Sequence, residues 1–316
     1  MIEPAESRKD EAPVEAILQE ELDQGDLARG TIAPVLGHLL ASTDNSMFSD
    51  EIVVRVRTMI EHVAAQMLRV HAETLEVEEA RQFAIDHAAP FGAQLARDPA
   101  LLHHVHALAL EWQLSFRLEA RSAIDLVLCP LLQSLIAADD ESVAETAMAL
   151  LAAQARFTQA QRRMELPLSE LPGDLLHRTL ANFSDIVGDT QKAEARIRDS
   201  MDERTSRLGL LSRVTANMGP GARAALNVQH SGAALFLTAL ADLSGQTREV
   251  VVASTGERQL ARLALGLRAA GLRPSEIEKQ FMCVHPDFAL PEGFEHLRVD
   301  RAATMIAQAG GGHSAP

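Results

Sequence analysis

At 316 residues with 47% apolar side chains, the chain has enough material to bury a core of its own. Aromatics make up only 3% and Tyr is absent, so that core must come from Leu, Ala, Val, Ile and Met, which favour helix over sheet. A formal charge of −15 with an isoelectric point near 5.2 argues against a duplex nucleic-acid partner and an anionic membrane surface, both of which call for a basic face.

Lys occurs only at Lys9, Lys192 and Lys279, so nearly every basic residue is Arg; with the abundance of Ala, this points to a GC-rich bacterial genome. Cys129 and Cys283 sit far apart in apolar contexts, which reads as two buried free thiols in a reducing compartment. The charged segment Met1 to Glu11 lacks the apolar run of a signal peptide. The most apolar window, Ala123 to Ala138, holds Asp125, Pro130 and Gln133 and is too short to span a bilayer. A cytoplasmic protein without a membrane span is therefore expected.

Pro13 opens the first helical pattern, with Val14, Ile17, Leu18 and Leu22 on one face and Gly25 as its stop. Thr31 and Pro34 open a second, striped by Ile32, Val35, Leu36, Leu39 and Leu40, before a polar loop from Ser42 to Ser46. Asp50 caps a long third helix carrying Val53, Val56, Met59, Ile60, Val63, Met67 and Val70. A fourth spans about Leu75 to Ala88 and ends before Pro90. Asp98 and Pro99 start a fifth that reaches about Glu119, with Leu101, Val105, Leu108, Trp112 and Phe116 inward. Ser122 to Ala138 reads as a nearly all-apolar buried helix kinked at Pro130. Asp139 and Asp140 cap the next, which carries Val143, Met148, Leu151 and Phe157.

Pro167, Pro172 and Gly173 then break the pattern and place a boundary between an N-terminal helical subdomain, 13–166, and a C-terminal one, 167–309. Residues 1–12 and 310–316 are expected to be disordered. Beyond the break come a helix from Asp174 to Val187, a long polar helix from Thr190 to about Leu208, and shorter helices punctuated by glycines. Leu240, Leu243, Thr247, Glu249 and Val250 line up at constant offset with Leu267, Ala270, Pro274, Glu276 and Ile277, as if a helix, a small-residue turn and a capped second helix recurred. No window sustains the alternation of a strand. The predicted fold is all-α: about a dozen helices stacked as hairpins, in a HEAT-like array or an irregular bundle.

The stretch Ser231 to Phe281, with SGAALFLTALADLSGQTREVV followed by RLALGLRAAGLRPSEIEKQF, resembles the carboxy-terminal part of an uncharacterised helical family of alphaproteobacteria, domain-of-unknown-function proteins whose amino-terminal parts are HEAT-like. The resemblance implies an all-helical fold and carries no assigned activity.

Four clusters carry candidate chemistry. In LLHHVHALALEW, His103 and His106 share a helix face and are the candidate pair for a metal, with His104 turned toward Glu111; no Glu-x-x-His pair of a di-iron bundle accompanies them. His62, His71 and His87 lie on neighbouring helices with Glu61, Glu73, Glu76, Glu79 and Asp86, the makings of a carboxylate and imidazole pocket or of a solvated face. His230 is a candidate phosphoacceptor without the acidic neighbour of one. The Gly219-Pro220-Gly221 turn with Arg223 offers amides and a guanidinium to an anion, or simply joins two helices. No phosphate-loop, nucleophile-elbow or zinc-protease string is present.

Between Thr190 and Arg213 the apolar stripe is thin, with Ala193, Ile197, Met201 and Leu208 among many charges. Such a helix is either supported by its own ion pairs or leans on another chain. Arg196, Ile197, Met201, Arg204 and Arg207 are the candidate partner-binding residues. The expected function is a non-enzymatic interaction or regulatory module that presents a helical surface to a protein partner or to itself and needs no cofactor. The alternatives are a helical-bundle enzyme or sensor with a metal or small ligand near His103 and His106, and a homo-oligomeric structural protein.

Overall fold

Fifteen α-helices and four 3-10 segments make up residues 14–41 and 51–311, which the computed structural model describes, with no strand among them. In chain order these are α1 (Val14–Gly30), α2 (Ile32–Ala41), α3 (Glu51–Thr74), α4 (Ala80–Leu95), α5 (Pro99–Ser122), α6 (Pro130–Ile136), α7 (Glu141–Arg162), α8 (Gly173–Val187) and α9 (Gln191–Asp199). The remainder are α10 (Arg207–Asn217), α11 (Val228–Ser244), α12 (Arg248–Ser254), α13 (Leu260–Ala269), α14 (Pro274–Val284) and α15 (Val299–Gly311). The expected cap at Asp50, the Ser42 to Ser46 loop, residues 1–12 and the end of the tail lie outside the described residues. No helix among them is long and apolar enough to cross a membrane.

Start signals act as local chemistry requires. The Asp98 carboxylate accepts from the Ala100 amide at 2.9 Å with Pro99 in the first turn, and Asp140 accepts from Ser142 and Val143. Each satisfies amides that a helix N-terminus leaves without partners.

Two apolar clusters form the interior, and α5 belongs to both. Leu101, Leu102, Val105 and Leu108 join α2, α3, α4, α8 and α9 around Phe183 and Phe91. Ala107, Leu114 and Leu118 of the same helix join α1, α6, α7 and α10 to α15. The segments on either side of 166/167 contribute to both clusters, so the expected boundary does not coincide with a division between cores. A solenoid confines contacts to successive units. Here α1 packs on α13 and α15, α3 on α9, and α5 on α11, α12 and α14, which makes the array an irregular bundle. The recurring unit near the end is realised as α11–α12 and α13–α14, with Gly245 and Gly271 at φ 69° and 93° in the turns.

Four expected elements differ. Gly25 does not stop α1: it admits close packing, since a Cβ there would lie 3.2 Å from the Arg258 carbonyl oxygen. Pro90 sits inside α4 rather than beyond it. Its residue is exposed, so water can serve the carbonyl freed at Asp86, while Phe91 and Leu95 beyond it are buried and carry the helix through. The helix expected from Ser122 to Ala138 is a loop and then α6, because the Asp125 carboxylate accepts from Val127 and Leu128 and Pro130 begins a helix instead of kinking one. The long helix from Thr190 is two, α9 and α10. Asp202 accepts from the Arg204 amide, and Ser206 bonds both the Glu203 carbonyl and the Gly209 amide, so side chains replace the helical ladder between them.

Candidate functional site

Where the two cores meet, α5 carries a buried carboxylate into a cage of arginines. Arg207, the first residue of α10, donates to both oxygens of Glu111 at 2.8 and 3.3 Å and to Glu170 at 2.9 Å. Its guanidinium lies 3.5 Å from the centroid of the Phe157 ring. Arg248 of α12 donates to Glu111 at 3.0 Å and to the Thr238 hydroxyl at 3.1 Å. Beside them, His104 Nδ1 lies 3.2 Å from the Glu249 carboxylate and Nε2 2.8 Å from the Glu170 carbonyl oxygen.

Burial pushes the Glu111 carboxyl up, but the charges of Arg207 and Arg248 and their hydrogen bonds outweigh it and hold the pKa down to about 2. Arg207 shows the mirror image: burial lowers its pKa, Glu111 and Glu170 raise it, and the balance lies above the ordinary value. The hydrogen bond from His104 lowers Glu249. Ions taken out of water cost several kcal/mol each unless charge and geometry are matched. Glu111 and Glu170 each meet an arginine, so the network is a clamp joining α5, α7, α10, α11 and α12.

The open site lies elsewhere. Between the end of α1, the start of α2, the outer face of α5 and the 3-10 turn after α12 runs a cleft of about 550 Å3. His106, Leu110, Gln113 and Arg117 of α5 line it at the spacing of one helix face. Arg29, Ile32 and Val35 form one wall, and Thr255, Glu257, Arg258 and His285 the other. Two contacts fasten the walls together behind the cleft: Gln259 donates to the Gly25 carbonyl, and Arg262 pairs with Asp26. His285 Nε2 donates to the Thr255 carbonyl at 2.6 Å.

The cleft is electropositive. Arg117 and Arg258 form no hydrogen bond or ion pair among the described residues, and Arg29 reaches Asp26 only at 3.6 Å. Burial, and then the charge of Arg121, lower the Arg117 pKa against a smaller opposing pull from Glu257. Partial desolvation and then the charge of Arg29 likewise lower His103.

The residues singled out in the sequence fall as follows. His106 lines the cleft; His103 is exposed beside it and His104 is drawn into the clamp by Glu249 and Glu170 rather than Glu111. No group of three His, Cys, Asp or Glu side chains able to hold a metal occurs among the described residues. His62 is tied to the Leu166 backbone, His71 is buried edge-on to Phe183, and His87 stacks on Phe83, so these three do not converge. His230 is half-buried. Arg223 pairs with Glu276 at 3.3 Å.

Of the candidate partner-binding residues, Arg196 is exposed and pairs with Glu73 at 3.0 Å, and Arg204 is exposed beside Asp202. Ile197 is buried in the core shared with α3, and Arg207 is wholly enclosed, so neither is open to another chain. Met201 lines a second cleft of about 310 Å3 with Phe157 and Leu176. Sequence reasoning found His106 but missed Arg117, which repeats the same face of α5 three turns on. Arg29 and Arg258 come from remote segments that only the fold brings together. Comparison with known proteins gives no matching family model, no matching curated protein and no matching solved structure.

Proposed function

We propose that this chain is a sensor-type binding module, an all-helical frame that takes a small ligand in the cleft bounded by α1, α2, α5 and the turn after α12. The observation that carries this reading is a concavity of about 550 Å3 into which three separated parts of the chain turn arginines, two of them unpaired among the described residues. That volume falls in the range of small-molecule sites, which join an apolar lining to a few convergent polar groups. Leu110, Ile32 and Val35 supply the apolar part, and the arginines with Thr31 and Thr255 the polar part. The buried clamp supports the reading by holding α5 and α12, two walls of the cleft, in fixed register.

The test is a thermal-shift screen of the purified chain against common metabolites, repeated on Leu110→Trp, which fills the cleft floor. A compound that raises the melting temperature of the parent and leaves the variant unmoved supports the site. If no compound acts on the parent, or if hits act equally on both, the reading is wrong.

A second reading is a protein-interaction or self-association surface. It is favoured by Leu27 and Val35, large apolar side chains left 69% and 52% exposed. A concentration-dependent mass in light scattering that Leu27→Asp with Val35→Asp abolishes is its expected signature.

A further inference from the structure

We infer that the ligand of this cleft is a small organic anion of about two negative charges, carrying phosphoryl or carboxylate groups bound jointly by Arg29, Arg117 and Arg258. This rests on the proposed ligand cleft and names what fills it.

The first ground is charge. The chain as a whole is strongly acidic, at −15, yet three arginines line this concavity against one carboxylate, Glu257, among the described residues. Asp26 behind it is already engaged by Arg262 and shared with Arg29. Two positive charges are therefore in excess around a partly desolvated space, where ionic interactions are stronger than in water.

The second ground is unfilled hydrogen bonding. The Nε atoms of Arg29 and Arg117 are both buried with no acceptor among the described residues. A buried donor left in that state costs about 1–3 kcal/mol. Both belong to guanidiniums lining one cleft, whose planar forks match oxyanions, and neither Nε finds an acceptor among the described residues.

The third ground is size. A cleft of about 550 Å3 exceeds what an inorganic ion fills, and Leu110, Ile32 and Val35 give it an apolar floor, so the anion has an organic body. A metal cation is disfavoured by the same excess charge.

The probes are sodium pyrophosphate for phosphoryl groups and sodium citrate for carboxylates, titrated calorimetrically into the full chain with sodium chloride at matched ionic strength as control. Saturable binding of either probe at one site per chain is expected, and the stronger of the two identifies the group. Because Arg117 has no partner to orphan, apo Arg117→Gln should be as stable as the parent or more so, while its affinity for the preferred probe falls roughly tenfold to a hundredfold. Arg117→Lys should recover part of the loss, and Arg258→Gln should add to it. A merely structural Arg117 would show the reverse, a destabilised variant with unchanged binding, and that result overturns the inference. So does binding no stronger than chloride, or capture only of an acidic protein segment. If both probes fail while a neutral metabolite binds the parent and not Leu110→Trp, the anion assignment falls and the ligand cleft stands; if nothing binds, both fall.

Discussion

Arg207 grips both carboxylate oxygens of Glu111, at 2.8 and 3.3 Å, across 96 residues of sequence, with both side chains all but sealed from solvent. Removing either partner strands the other charge in the interior. Arg207→Met or Glu111→Gln should each cost about 3–5 kcal/mol in urea unfolding. Arg207→Met with Glu111→Leu should cost less than the sum, because the Arg207–Glu111 pair is then lost once rather than twice, leaving Arg248 and Glu170 as the charges to be accommodated.

The same carboxylate sets an acid limit. Its pKa is depressed in the folded chain to about 2, against roughly 4.3 when unfolded. A depressed acid contributes stability that is complete above the unfolded value and is lost as pH falls through the folded one. Stability measured by denaturant titration should hold down to about pH 5 and then fall steadily toward pH 2. Glu111→Gln should flatten that slope, and an unchanged slope would remove Glu111 as its cause.

Gly209 and Gly221 make a matched pair. A Cβ at 209 would run into the Glu203 carbonyl oxygen, whereas one at 221 meets nothing within 4 Å. Gly209→Ala should therefore cost about 1–3 kcal/mol, the range for overpacking. Gly221→Ala should stay within about 0.5 kcal/mol of the parent. Thermal unfolding of the two variants side by side checks both.

On α9, Ile197 and Arg204 of the loop after it separate the buried role from the surface one. Ile197→Ala should cost about 2–5 kcal/mol, and Arg204→Ala, at an exposed ion pair, less than about 0.5 kcal/mol. If Ile197→Ala leaves the melting temperature untouched, the packing of α9 on α3 described here is wrong.

Helical periodicity was legible because Leu, Ala and Val at turn spacing leave a chain little alternative, and the caps at Asp98 and Asp140 could be read from single residues. What escaped reading depends on competition between local and distant forces. Pro90 reads as a terminator, but Phe91 and Leu95 bury enough apolar surface to keep α4 going. Asp125, Asp202 and Ser206 look like ordinary helix residues until their side chains take the backbone amides. Phe116 was expected inside because it follows Trp112 at helical spacing. It is 56% exposed and stacks on that ring from outside, with centroids 6.3 Å apart.

The candidate site was legible in one wall only. His106 stood out as part of a histidine run, although the run itself divides three ways, to solvent, clamp and cleft. Arg207 reads as a partner-binding charge, since nothing in its neighbourhood in sequence announces Glu111 or Glu170. Pairings of that span are set by the fold and leave no periodic trace.

Because both interiors draw side chains from either side of 166/167, severing the chain there would yield fragments that each own a share of both and the whole of neither. Neither piece should be recoverable as a folded product, yet mixing them should restore a native spectrum by mutual complementation. A gene truncated at that point would accordingly behave as a complete loss.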